Sequence, residues 1–285
     1  MAATVGTPVV VGVDGSEASL AAVDLAVRTA AERHRPLRVL HVFAWSSLDL
    51  PPEAGLRADA ERLADRAAAY AHGLDPRVTV TSEAVPGTPA EILVQHSREA
   101  AVVVLGHRGR GGFASLLVGS VAAQVTAHAA SPVVVARGTP RGEGPVVVGV
   151  DGSPTSAAAI RFAVEEAAWR KTNVVAVHAW AVPMSTGPAD MLPLLYDPDR
   201  LAAEQERVLA ESVAGLGDDH PDVHLERQLV EDNTAAALIE HSKRAQLVVV
   251  GSRGHGGFTG LLLGSVSHAL LHHAECPVAV VRPPA

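Results

Sequence analysis

The sequence predicts an α/β protein of two tandem domains, each a doubly wound, five-stranded parallel sheet with helices on both faces. Three observations carry this. "PVVVGVDGS" at Pro8–Ser16 recurs letter for letter at Pro145–Ser153. "GHRGRGGFASLLVGS", starting at Gly106, returns as "GSRGHGGFTGLLLGS", starting at Gly251. Valine-rich runs also alternate with amphipathic stretches, the pattern of strands buried on both faces and the helices that cover them. A repeat of this length marks whole domains rather than small stacked units. The expected boundaries are 1–138 and 144–285, joined by "GTPRGEG" (Gly138–Gly144), whose glycine and proline content suits a linker. The chain's 285 residues are comfortable for two such domains.

The elements follow in order. Pro8–Val13 is a short apolar run suited to a buried parallel strand. After Asp14, Leu20, Val23, Val27 and Ala30 recur at helical spacing, and the second copy repeats the stripe with Ile160, Val164 and Ala167. Leu37–Phe43 reads as the next strand, Leu56–His72 as a helix and Val78–Val85 as a third strand. Thr88-Pro89-Ala90-Glu91 has the form of a capping box with proline at the first helical position. Ala101–Leu105 is a fourth strand, Ser120–Ala129 a fourth helix and Pro132–Ala136 a last strand. Relative to the first copy, the second gains eight residues between its second and third strands, in or near the proline-rich "VPMSTGPADMLPLLYDPDR". The final strands, "PVVVA" and "PVAVV", would leave apolar edges exposed on isolated domains. Pairing of these edges within the chain, about a pseudo-twofold axis, is expected.

Composition narrows the function. A net charge of -8 argues against nucleic acid or an anionic membrane as the main partner, and 3% aromatics leave few stacking platforms for single strands. Cys276 is the sole cysteine, so no intrachain disulfide can form. The N-terminus lacks a basic start and an uninterrupted apolar region, and no apolar run approaches the length of a membrane span. The expectation is a cytoplasmic protein.

In a doubly wound sheet, ligands bind beyond the carboxyl ends of the strands where the winding reverses. With that switch between the first and fourth strands, Asp14 and Gly106 flank one crevice, and Asp151 and Gly251 its counterpart. Gly106 and Gly109 are expected to adopt backbone conformations closed to other residues and to bring amides close to an anion. Gly119-Ser120 then opens a helix whose free N–H groups and dipole favour negative charge. Arg108 and Arg253 could add contacts to phosphate oxygens. The lysine of the common phosphate loop is absent, and the first turn, "VDGS", lacks the G-x-G-x-x-G of a dinucleotide fold. Asp14 could accept a hydrogen bond from an exocyclic amine or help hold a divalent cation.

Other groups have plainer readings. Ser16 and Ser153 compete with Asp14 and Asp151 for the helix N-cap. His41 and His178 read as internally satisfied histidines, since no partners stand at metal-ligand spacing. "HALLHH" (His268–His273) lacks the glutamate of a zinc motif and reads as helix surface. Cys276 reads as a buried residue, because Ser131 takes its place in the first copy.

The pattern G-x2-G-x9-G-[ST], matched by Gly106, Gly109, Gly119 and Ser120 and again by Gly251, Gly254, Gly264 and Ser265, resembles the ATP-binding branch of the universal stress protein family. The resemblance covers nearly the whole chain as two tandem domains, and it includes the aspartate ending the first strand and the "SPVVV" final strand. It implies a Rossmann-like, adenine-nucleotide alpha-hydrolase-like fold. It also implies that Asp14 and the backbone near Val42 hold adenine, with Asp151 and Ala179 equivalent, while the glycines and serines hold ribose and phosphates. A homodimer is what the family would lead one to expect. His107 against Ser252, and Arg110 against His255, are departures between the copies that leave equal affinity of the two sites open. So is Mg2+ as a companion of ATP.

Two functional classes stand side by side. One is a nucleotide-responsive binding protein in which ATP orders the glycine loops. The other is an enzyme, such as a slow ATPase. Phosphoryl transfer needs a positioned nucleophile and usually a base. Neither glycine loop contains a carboxylate, so the sequence favours binding.

Overall fold

The computed structural model describes residues 6–43, 53–110, 117–181, 197–215, 220–254 and 263–283. The first domain runs β1 (Val9–Val13), α1 (Glu17–Glu32), β2 (Leu37–Phe43), α2 (Glu53–Leu74), β3 (Val80–Pro86), α3 (Pro89–His96), a 3-10 turn (Ser97–Glu99), β4 (Val102–Gly106), α4 (Ser120–His128) and β5 (Val133–Ala136). The second repeats it as β6 (Val146–Gly149), α5 (Pro154–Arg170), β7 (Val174–Trp180), α6 (Pro198–Val213), β8 (Leu225–Glu231), α7 (Thr234–Ser242), β9 (Leu247–Gly251), α8 (Ser265–His273) and β10 (Val278–Val281). The enlarged segment of the second copy falls largely on 182–196, outside the described residues.

The ten strands of the described residues form one sheet in the order β3-β2-β1-β4-β5-β10-β9-β6-β7-β8. Pairing is parallel within each domain, and the winding reverses between β1 and β4 and between β6 and β9. The two last strands meet antiparallel, Val278 opposite Val135 and Val280 opposite Val133, so each apolar edge covers the other. The outer edges, β3 and β8, carry exposed polar residues such as Glu83 and Arg227.

The alternation of the strands splits the core in two. Val9, Val11, Val102, Val104, Val134 and Ala279 pack on one face of the sheet against α1, α2, α5 and α6. Val10, Val103, Val133, Val135, Val278 and Val280 pack on the other with α3, α4, α7 and α8. Both layers run unbroken across the β5–β10 seam. On the first face, helices of the two domains also meet through charge. Glu166 is 1% exposed and bonds Arg33 from the other domain and Arg170 from its own helix. Arg33 lies over the Trp169 ring, 4.3 Å from its centroid.

Two local expectations are corrected. Leu20 is 41% exposed, because the buried stripe of α1 centres on Ala22, Val23, Ala26 and Ala30, and Leu20 sits roughly 120° around the helix from that centre. The capping box at α3 does not close: Thr88 is the N-cap but its side chain makes no cap bond, and the helix starts on the fixed φ of Pro89. In the second domain Asn233 takes that position and does accept from the amides of Ala235 and Ala236, at 3.0 and 3.3 Å.

Candidate functional site

The first bay opens at the β1/β4 reversal, beyond the carboxyl ends of the strands. It measures about 500 Å3, within the range of small-molecule sites. It brings together Asp14, Val42, Gly106, Arg108, Gly109, Gly119 and Ser120. An apolar wall that the sequence reading did not single out is built from Leu40, Pro89, Leu93 and Leu105. These side chains come from three elements that meet only after folding. The bay therefore combines an apolar wall with amides and guanidinium groups.

The turn after β1 sets up the second of these. Ser16, not Asp14, is the N-cap of α1, accepting from the Ser19 amide at 3.2 Å. Asp14 Oδ1 accepts from the Ser16 amide at 3.0 Å and hydroxyl at 2.6 Å. Oδ2 reaches across to the glycine loop and accepts from the Arg110 amide at 2.7 Å. Burial would raise the Asp14 carboxyl, but the Ser16 and Arg110 hydrogen bonds outweigh it and hold the pKa below its ordinary value. The left-handed backbone expected at Gly106 and Gly109 is found instead at Gly15, with φ +81°. The two loop glycines are needed for close approach. A Cβ on Gly106 would fall 2.6 Å from the Ala18 carbonyl oxygen, and one on Gly109 would fall 2.5 Å from Asp14 Oδ2.

The loop closes on itself where the Gly119 amide donates to the His107 carbonyl at 2.8 Å. Gly119 is the N-cap of α4 and has no side chain to cap it. The first-turn amides at Ser120, Val121 and Ala122 thus face the bay without a side-chain acceptor, at the positive end of the helix dipole.

The second domain repeats this frame with different ties. Asp151 accepts from the Ser153 amide at 3.0 Å, and a Cβ on Gly254 would strike its Oδ2. The Gly264 amide donates to the Ser252 carbonyl at 2.8 Å, placing Gly251, Arg253, Gly264 and Ser265 as in the first copy. Ala179 is buried on β7, and its carbonyl accepts from Thr234 Oγ1 at 3.4 Å. The Thr155 hydroxyl bonds the Arg253 carbonyl, and Ser267 Oγ donates to the Gly251 carbonyl at 2.9 Å. The matching residues of the first copy, Ala18 and Ala122, cannot do either. The departure at His255 lies outside the described residues.

The remaining candidates settle into structural roles. His41 and His178 donate from Nδ1 to the Val13 and Val150 carbonyls, each at 2.7 Å. His268 and His273 are exposed on α8. Cys276 is fully buried, and that burial pushes its thiol up to about 12. Among the described residues no group of three His, Cys, Asp or Glu side chains could hold a metal ion, and no helix is long and apolar enough to cross a membrane.

This fold and site define a doubly wound α/β protein with a glycine loop at each of its two winding reversals. The family model described as "Universal stress protein family" matches residues 7–137 and 144–282. "Universal stress protein Rv2005c" of Mycobacterium tuberculosis is 42% identical, with 96% of both chains covered. "Universal stress protein Rv1996" of the same species is 39% identical over 97% of this chain and 95% of that one. Among solved structures, a universal stress protein from Archaeoglobus fulgidus superposes with a TM-score of 0.71 at 19% identity, covering 98% and 99% of the two chains. The chain belongs to the universal stress protein family.

Proposed function

We propose that this protein binds ATP in the bay at β1/β4 and in its counterpart at β6/β9, and that it acts as a nucleotide-responsive regulator. The observation that carries the reading is the polarity of the first bay. Uncapped α4 amides, Ser120 and Arg108 in its lining suit phosphates. Val13, Leu40, Val42 and Leu93 in the same lining suit a purine face. Asp14 Oδ2 makes one described hydrogen bond and keeps acceptor capacity for an exocyclic amine.

Binding is favoured over rapid hydrolysis. Among the described residues Asp14 is the sole acidic side chain lining the bay, and both its oxygens already hold the protein's own donors. A magnesium ion carried by the nucleotide phosphates would find one carboxylate there.

Calorimetric titration with ATP and ADP tests the reading. Among the described residues, a Cβ on Gly119 or Gly264 would come no nearer than 3.5 Å to any atom beyond its chain neighbours, and both residues have φ and ψ open to alanine. Gly119→Ala and Gly264→Ala should therefore leave Tm unchanged while each weakens nucleotide at its own site. The expected stoichiometry is two per chain. ATP binding unaltered by both substitutions would overturn the assignment.

A further inference from the structure

A second cavity, of about 310 Å3, lies behind the first glycine loop at the seam between the domains. His107 and Arg108 reach it from the loop, Arg137 from the end of β5, Arg141 from the linker, and His273 and Glu275 from the end of α8 and beyond. Three guanidinium groups and two imidazoles thus surround a space with one carboxylate on its wall. Among the described residues, no acidic side chain forms an ion pair with Arg108, Arg137 or Arg141.

The backbone holds these charges in place. Arg137 is fixed by its bonds to the last carbonyls of α8, at Leu271 (2.9 Å), His272 and Ala274 (2.8 Å). His107 donates from Nδ1 to the Ala136 carbonyl at 3.2 Å. The linker is pinned where Thr139 donates its amide to the Glu275 carbonyl at 3.0 Å. It reaches that contact through Gly138, at φ +60°, where any Cβ would collide with the Glu275 carbonyl. That anchoring brings Arg141 to the cavity two residues later. Burial lowers the pKa of both Arg137 and His107, and the neighbouring Arg108 lowers both further, the mark of like charges gathered without a counter-ion.

We infer that this interdomain cavity is an anion site for a phosphoryl group, one per chain, distinct from the two bays and joined to the first of them through Arg108. Guanidinium groups that converge on one space without an acidic partner are the arrangement that takes a phosphate by charge-assisted hydrogen bonds. Arg108 lines both the cavity and the first bay. The anion therefore has two sources, a free inorganic phosphate or pyrophosphate, or the tail of a nucleotide seated in that bay. The site is single because the linker that supplies Arg141 crosses the seam once, and because Ser252 stands where a second cavity would need the counterpart of His107.

The test uses the full chain and sodium pyrophosphate, titrated by calorimetry into wild type, Arg141→Glu and Gly119→Ala. Arg141 is an exposed linker residue, so its reversal leaves the fold intact, and an unchanged Tm checks this. For a free anion, wild type binds one pyrophosphate per chain, Arg141→Glu weakens it at least about tenfold, and Gly119→Ala leaves it alone. For a nucleotide tail, pyrophosphate alone gives no heat, and the preference for ATP over AMP shrinks by a similar factor in Arg141→Glu. Either outcome supports the site. It is overturned if Arg141→Glu changes neither measurement, or if pyrophosphate binding is lost in Gly119→Ala alone, which would place the anion in the bay. Pyrophosphate binding lost in Arg141→Glu supports the site even if ATP does not bind the bays. With no heat from pyrophosphate, ATP binding with an ATP-over-AMP preference unchanged by Arg141→Glu overturns the site alone. No heat from either ligand overturns both.

Discussion

Asp14 ends β1 and ties two separate parts of the chain: its own turn through Ser16 and the glycine loop through the Arg110 amide. These bonds exist only to the ionised carboxylate at full strength, which is why they outweigh the effect of burial and depress its pKa below 3.8. With the folded value below the unfolded one, the stabilisation is fully present above the ordinary carboxylate range and is lost as pH falls through the folded value. The Arg110 amide proton, followed by NMR, should therefore titrate with a midpoint below pH 3.8. A midpoint above 3.8 would mean that burial prevails and that the loop is not held by this carboxylate. Gly109 belongs to the same contact, because its missing side chain is what lets Asp14 come so close.

Among elements, α4 and α8 link each glycine loop to the opposite domain. Each starts at the end of a glycine loop and ends against an arginine of the other half. Arg137, after β5, bonds the final carbonyls of α8, and Arg282, after β10, bonds the Ala127 carbonyl near the end of α4. A cation at a helix C-terminus satisfies orphan carbonyls and opposes the dipole, worth up to about 2 kcal/mol in a partly buried setting. Arg137→Met should cost about that much in urea unfolding, and Arg282→Met, with its single described bond, should cost less. Equal and negligible losses would show that the caps are ornamental. The loops themselves differ, since Thr155 and Ser267 hold the second where alanines stand in the first.

For the molecule as a whole, the domain seam rests on the β5–β10 pairing above and the Glu166 cluster below. Arg33, Glu166 and Arg170 have side chains only 5%, 1% and 8% exposed, so the charges are screened little by solvent. Removing Glu166 leaves the buried Arg33 guanidinium without its carboxylate, and Arg170 with only the more exposed Glu32, 3.5 Å away. Glu166→Ala should therefore lose about 3–5 kcal/mol of unfolding free energy. A loss under about 1 kcal/mol would show that the seam is held by the strands alone.

Much of this was legible in the sequence because it is written locally. Valine runs specify strands wherever they lie, and Leu37–Phe43 emerges with its expected ends. Gly-Ser at the head of α4 and α8 announces uncapped helix starts, and exact repetition of "VVVGVDGS" fixes two copies of one topology. Leu40, Leu93 and Leu105 gave no such signal, since an apolar residue on a strand or helix looks the same whether it faces the core or a bay. Nor could spacing show that Gly106 and Gly109 serve contact rather than turning, that Arg110 would present its amide to Asp14, or that Arg137 and Arg282 would cross the seam. The chain's own order determined its strands, helices, duplicated loops and the pair of reversals at which they gather. Which side chains share a bay, which arginines meet at the linker and how the two halves lock were decided only by tertiary structure, because each depends on the distance between segments that are far apart in sequence.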